Sequence, residues 1–208
     1  MSTPDRVAVI LDGEYVKKVL GRKLARFPTH TDVMAQVTRM LADASLRGLQ
    51  LYRIFYHTAE PLAGTTTHPL DGKRIDFAAT TVFSQNTQLI DKLELEPDVA
   101  VRRGVLVHQG WEIGRAAVKQ LMANTKTAVE ARDIRPKILQ KGVDMRIGLD
   151  IASLALKRLV STIVVASGDS DLVPAFKLAR TEGLRVYLDP LGHRTVRREL
   201  KAHADRVL

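Results

Sequence analysis

Four aspartates, Asp12, Asp144, Asp169 and Asp171, stand where carboxylate chemistry would matter. Asp12 closes the apolar run Val7 to Leu11 and is followed by Gly13. Asp169 and Asp171 lie in Ser167-Gly168-Asp169-Ser170-Asp171, directly after the apolar run Thr162 to Ala166. Asp144 follows Lys141-Gly142-Val143, at the start of a segment with helical spacing. In an open parallel sheet, ligands collect outside the carboxyl ends of the strands, and all of these acids map to such ends or to a helix start beside them. Gathered there they would repel, since two charges ~4 Å apart cost about 4 kcal/mol at an effective dielectric of about 20. Such a cluster requires retained protons or a cation. Oxygen donors without cysteine or paired histidines favour Mg²⁺ or Mn²⁺ over zinc. An ion of that kind activates water and steadies charge on a phosphodiester. Each acid also has an ordinary structural reading. Asp12 can be a turn residue, Asp144 a first-turn acid favoured by the helix dipole, and Asp171 a cap on the helix containing Pro174.

The elements that would position these acids alternate between strand and helix. Arg6 to Leu11 has the β-branched, apolar character of a central parallel strand. Tyr15 to Leu24 reads as a lysine-rich helix. A second helix is capped by Thr31 or Asp32, carries Val33, Val37, Met40, Leu41 and Ala44 at helical spacing, and closes at Gly48. Leu49 to His57 reads as a strand with Tyr52, Ile54 and Tyr56 on one face and Phe55 on the other. Thr58 to Lys73 reads as a long loop and Ile75 to Leu95 as mostly helix. Val99 to His108 reads as a strand interrupted at Arg102-Arg103-Gly104. Gly114 to Lys137 is ambiguous between helix and flap.

Val143, Ile147, Ile151, Leu154 and Ala155 keep the rhythm of a buried helix face, with Gly148 expected to let that helix approach the sheet. Thr162 to Ala166 is a strand, Leu172 to Glu182 a helix capped by Gly183, Arg185 to Leu188 a strand, and Thr195 to Val207 a basic terminal helix. This order implies βαβ units and a mainly parallel sheet. At 208 residues, with no linker or repeat, the chain is expected to form a single domain over 1–208.

Composition narrows the classes further. The chain has no cysteine, which excludes disulfides, thiolate metal sites and cysteine nucleophiles. No run approaches the ~18 apolar residues of a membrane span, and Val7 to Leu11 is too short for a signal-peptide core. The expectation is a soluble, cytoplasmic protein without a membrane partner. A net charge of +9 favours polyanionic partners. Lys17, Lys18, Arg22, Lys23 and Arg26 follow closely on Asp12 and could guide a phosphate backbone. Arg102, Arg103 and Lys141 are further candidates for RNA contact, as is the stripe Arg197, Arg198 and Lys201. Trp111 could stack on an unpaired base, but a packing role fits a lone tryptophan better. His57, His108 and His193 lack metal-pair spacing. Ser167 and Ser170 are expected to orient the acids rather than act as nucleophiles.

At these residues the sequence resembles the NYN domain family, a branch of the PIN-like metal-dependent nucleases. Carrying the resemblance are Lys141-Gly142-Val143-Asp144, Ser167-Gly168-Asp169-Ser170-Asp171 with Leu172-Val173-Pro174, and the opening Asp12-Gly13. Tyr52-Arg53-Ile54-Phe55-Tyr56 with Ala59-Glu60-Pro61 is similar to the family's second strand and its loop. The resemblance implies a Rossmann-like three-layer α/β/α sandwich. It also implies a ribonuclease whose metal-binding and catalytic acids are Asp12, Asp144, Asp169 and Asp171. Because PIN-like domains often pair, a homodimer is one expectation. In place of the asparagine that often follows the opening acid and glycine, this chain has Glu14 and Tyr15. Tyr15 can donate a hydrogen bond but cannot copy an amide, and Glu14 is expected to face solvent. Two other functions stay open: a non-catalytic RNA-binding or regulatory protein on the same scaffold, and a small-molecule phosphatase using Asp12 with Glu14 as a second acid.

Overall fold

The computed structural model describes residues 5–193 and 196–208. Its strands are β1 (Arg6–Asp12), β2 (Gln50–Ala59), β3 (Thr65–Thr67), β4 (Arg74–Asp76), β5 (Val99–Ile113), β6 (Ile134–Lys141), β7 (Thr162–Ala166), β8 (Arg185–Leu188) and β9 (Arg206–Val207). Its helices are α1 (Gly13–Leu24), α2 (His30–Leu41), α3 (Thr81–Glu94), α4 (Arg115–Met122), α5 (Val143–Leu156), α6 (Val173–Thr181) and α7 (Arg198–Ala202). Seven strands form one sheet in the order β6-β5-β2-β1-β7-β8-β9. Every pairing is parallel except β5 with β6.

The central strands are apolar on both faces because both faces are covered. On one face Ala8, Ile10, Ile163 and Val165 pack with Ile147 and Ile151 of α5 and Phe176 of α6. On the other, Val7, Val9 and Leu11 pack with Val16 of α1, Val37 of α2 and Leu89 of α3. The result is the expected three-layer α/β/α sandwich. Its crossovers bring the carboxyl ends of β1 and β7 level, with Leu11 opposite Ala166.

Several expectations need correction. Tyr52 does not share a face with Ile54 and Tyr56: Val7 pairs with Leu51 but Ala8 with Arg53, so a bulge at Tyr52 turns it to the Phe55 side. Strand β5 runs unbroken through Arg102-Arg103-Gly104, which pair with β2, to Ile113; its later part pairs with the antiparallel β6, which begins inside the ambiguous segment and runs past it to Lys141. The loop after β2 contains the small β3–β4 hairpin, and Ile75 belongs to β4 rather than to a helix. Gly48 follows a separate 3-10 turn, Ala44–Leu46, after α2 has ended at Leu41. The terminal helix is short because Asp205 accepts from the Val186 N–H at 2.8 Å and from Arg180 at 2.9 Å, drawing the chain into β9. Thr195 lies outside the described residues.

Helix α2 is capped by Thr29, not by Thr31 or Asp32. Thr29 Oγ1 accepts from the Asp32 N–H, and the Asp32 carboxylate accepts from the Thr29 N–H at 2.7 Å. Thr29→Ala is expected to cost about 1 kcal/mol, which a thermal melt would register as a Tm lower by about 2–4 °C.

Candidate active site

Asp12 is the pivot. Its buried carboxylate accepts from the Tyr15 N–H at 3.1 Å, capping α1, and from the Ser167 hydroxyl at 3.0 Å. Ser167 Oγ in turn accepts from the Asp169 N–H at 3.1 Å, so one hydroxyl ties the end of β1 to the turn after β7. Asp169 Oδ1 accepts from the Asp171 N–H at 3.0 Å, which makes Asp169 the cap of the 3-10 turn Ser170–Leu172 and Asp171 the donor. Asp144 lies in the first turn of α5 behind Gly142. Among the described residues its carboxylate has no hydrogen-bond donor and no ion-pair partner, nor does any Lys or Arg pair with Asp12, Asp169 or Asp171.

Asp12, Asp144 and Asp169 line one open cleft of about 370 Å³ with Glu14, Tyr15 and Lys18. Asp171 lies on the other side of Asp144, lining a neighbouring groove between α5 and α6. Burial, with the charges of Asp144 and Glu14, raises the Asp12 carboxyl above the ordinary aspartate value despite its hydrogen bonds. Burial also raises Asp144, followed by the charges of Asp169 and Asp171. The four acids therefore feel one another. As they stand, however, no three acidic or histidine side chains among the described residues are grouped closely enough to hold an ion. The donor set suits a hard divalent cation: it is all oxygen, and among the described residues no Lys or Arg pairs with Asp12, Asp144, Asp169 or Asp171.

Two neighbours shape the cleft in ways the sequence did not disclose. Glu14 is half-exposed, reaching solvent as expected, and also lines the open cleft, with Lys17 and Lys18 each 3.3 Å from its carboxylate. Burial opposes its ionisation, yet the two ammonium groups outweigh burial and hold the carboxyl below the ordinary range. Tyr15 lays its ring against Gly168, where a Cβ would stand 2.7 Å from Tyr15 Cε2, and its hydroxyl donates to Pro190 O at 3.0 Å. It wedges the turn after β7 in place. Gln140, at the end of β6, also lines the cleft and could not be found while β6 was unassigned.

The basic candidates divide. Lys18 and Arg197 line the cleft, and Arg197 donates to Ser170 Oγ at 2.7 Å. Lys17 is directed to Asn86 Oδ1 at 2.6 Å. Arg22 and Lys141 are exposed and border no part of the cleft. Arg102 is bound to Asp150 at 2.9 Å and Arg103 to Glu94 at 2.7 Å, so both serve ion pairs away from the acids. Lys23 donates to the Leu191 carbonyl. Trp111 packs edge-on against His68 and His108, with ring centroids 4.9 and 5.6 Å away. His57 is buried against Asp150 at 3.0 Å. Gly148 faces open space rather than the sheet.

Comparison with known proteins agrees with this architecture. A crystal structure of a protein of unknown function from Vibrio parahaemolyticus RIMD 2210633 superposes with a TM-score of 0.54 over 100% of this chain and 94% of that one, at 12% identity. That likeness concerns the fold alone. An uncharacterized protein, y4oD, of Sinorhizobium fredii (strain NBRC 101917 / NGR234) is 43% identical over 49 residues, which is 24% of this chain and 23% of that protein. The model of the NYN domain matches residues 71–208, a span that contains Asp144, Asp169 and Asp171 and leaves Asp12 to be joined to them by the β1–β7 pairing. No helix among the described residues is long and apolar enough to cross a membrane. The chain belongs to the NYN domain family, whose members are PIN-like nucleases.

Proposed function

We propose that the chain is a Mg²⁺- or Mn²⁺-dependent ribonuclease. The observation carrying this reading is the shared cleft of Asp12, Asp144 and Asp169, whose charges no described cation neutralises. Asp12, Asp144 and Asp169 would hold the ion, with Asp171 close behind Asp144; when bound, the ion lowers the pKa of water and offsets charge on the phosphodiester.

The chain's own residues supply the rest. Lys18 and Arg197 attract the RNA backbone to the cleft. Ser167 and the Tyr15 N–H fix both oxygens of Asp12, so that acid stays in place as substrate enters. A bond forms between water oxygen and phosphorus as the water loses a proton to solvent, the bond to the 3′ oxygen breaks and that oxygen takes a proton from solvent, and the products carry a 5′-phosphate and a 3′-hydroxyl.

The spread of the acids favours a second reading, an RNA-binding protein that no longer cleaves. RNA retained but uncut by the parent protein in both Mg²⁺ and Mn²⁺ would select it. The phosphatase reading loses its second acid, because Glu14 is held by Lys17 and Lys18.

A metal titration tests the site directly. Asp12 and Asp144 are raised above the ordinary aspartate value of 3.8. In the ion-free protein they therefore contribute stability at low pH, which is lost as pH rises through their raised values. An ion binds the charged forms and reverses that sign. At a hundredfold excess over Kd, Mn²⁺ should stabilise by about 2.7 kcal/mol, or about 5–10 °C in Tm. The increment should be larger at about pH 8 than at about pH 5. An equal or larger shift in acid would contradict a carboxylate site.

A further inference from the structure

Next to the acid cleft lies a second hollow, of about 320 Å³, within the range that holds a small ligand. Glu14 and Gln140 line both spaces, so one opens beside the other. Its walls are mainly carbon: Phe77 and Phe83 at the start of the α3 region, Leu62 after β2, and Leu106 and Ile138 from the β5–β6 pair. Phe77 already tilts against the His108 ring, with centroids 5.6 Å apart. Phe83 is half-buried and has no ring partner among the described residues.

One edge of the hollow is polar. Lys17 Nζ donates to Asn86 Oδ1 at 2.6 Å, and Asn86 Nδ2 donates to the Val82 carbonyl at 2.8 Å. Those groups are held in place rather than free to rotate. The Gln140 side-chain amide, by contrast, has no hydrogen-bond partner among the described residues.

A flat ring with polar edges matches this lining. Aromatic faces stack on unpaired bases of any identity, and fixed polar groups meet a base edge. A base paired in a duplex offers neither its face nor its edge to such a hollow. We propose that the hollow takes one unpaired base adjoining the phosphate that enters the acid cleft. The proposal rests on the ribonuclease reading for its placement of the strand.

The test is abasic scanning. An Asp144→Asn protein leaves the strand intact, and anisotropy of a labelled oligouridylate in Mg²⁺ measures binding. Removing one base at one position is expected to weaken binding about tenfold, the worth of a base–aromatic stack, with little effect elsewhere along the strand. Phe83→Leu keeps apolar bulk but loses the aromatic face, so it should abolish that position dependence. Phe83→Ala should do the same. A flat scan overturns the proposal, as does Phe83→Leu weakening intact and abasic strands equally; a flat scan is also the result if the hollow serves a peptide or another ligand. Cleavage by the parent protein is read separately. A parent that cuts RNA while the scan is flat removes the base pocket and leaves the nuclease. A parent that never cuts, while the scan shows one sensitive position, removes the nuclease and leaves the pocket.

Discussion

Asp144→Asn is expected to reduce metal-dependent RNA cleavage by about 10³-fold, in line with the several kcal/mol that metal ions contribute to transition-state charge stabilisation. The amide keeps the size of the side chain but removes the charge facing Asp12, Asp169 and Asp171, and with it a charged oxygen donor for the ion. The same change should not harm the fold. Asp144 has no hydrogen bond to lose among the described residues, and neutralising it relieves first the burial of its charge and then its repulsion from Asp169 and Asp171. An unchanged or slightly higher Tm without metal, together with a smaller Mn²⁺-induced increment, is the expected pattern. A large fall in Tm would assign Asp144 to structure instead, and full activity would remove it from the mechanism.

Gly13→Ala should have the largest structural effect of any single methyl group near the site. A Cβ there would stand 2.7 Å from the His57 carbonyl oxygen and 2.8 Å from Tyr56 Cζ. Neither can retreat easily. The His57 backbone is paired with β1 on one side and β5 on the other, and the Tyr56 side chain is fully buried. Overpacking of this kind costs about 1–3 kcal/mol, so Tm should fall by about 2–12 °C. Because Gly13 adjoins Asp12, a displacement near 1 Å would also lower cleavage by about 10²-fold. Gly148→Ala provides the opposite sign: a Cβ there meets open space within a helix, and the change should stabilise by up to about 1 kcal/mol. Equal melting behaviour of the two variants would contradict the close packing at the end of β1.

The features legible in the sequence were those set by burial. Val7 to Leu11 and Thr162 to Ala166 are apolar on both faces because helices cover both. The spacing of Val143, Ile147 and Ile151 declares the inward face of α5. The clustering of acids at strand ends followed from that topology. Features set by a partner were hidden. Strand β6 carries several exposed residues and exists because β5 pairs with it. The bulge at Tyr52 changes which face it occupies without leaving a composition signal. Arg102 and Arg103 looked like free cations because Asp150 and Glu94 are distant in sequence. That Glu14 shares its cleft with Gln140 was hidden because Gln140 comes from β6. The wedge of Tyr15 against Gly168 likewise joins residues at opposite ends of the chain.

The arrangement of the acids is tested most directly by a crystal of the parent protein soaked in Mn²⁺ and measured at the manganese absorption edge. The expected result is an anomalous peak in the cleft with carboxylate oxygens of Asp12 and Asp144 as its ligands, absent from crystals of Asp144→Asn. A cleft without a peak at saturating Mn²⁺, or an ion bound only elsewhere on the surface, would contradict a metal-dependent nuclease.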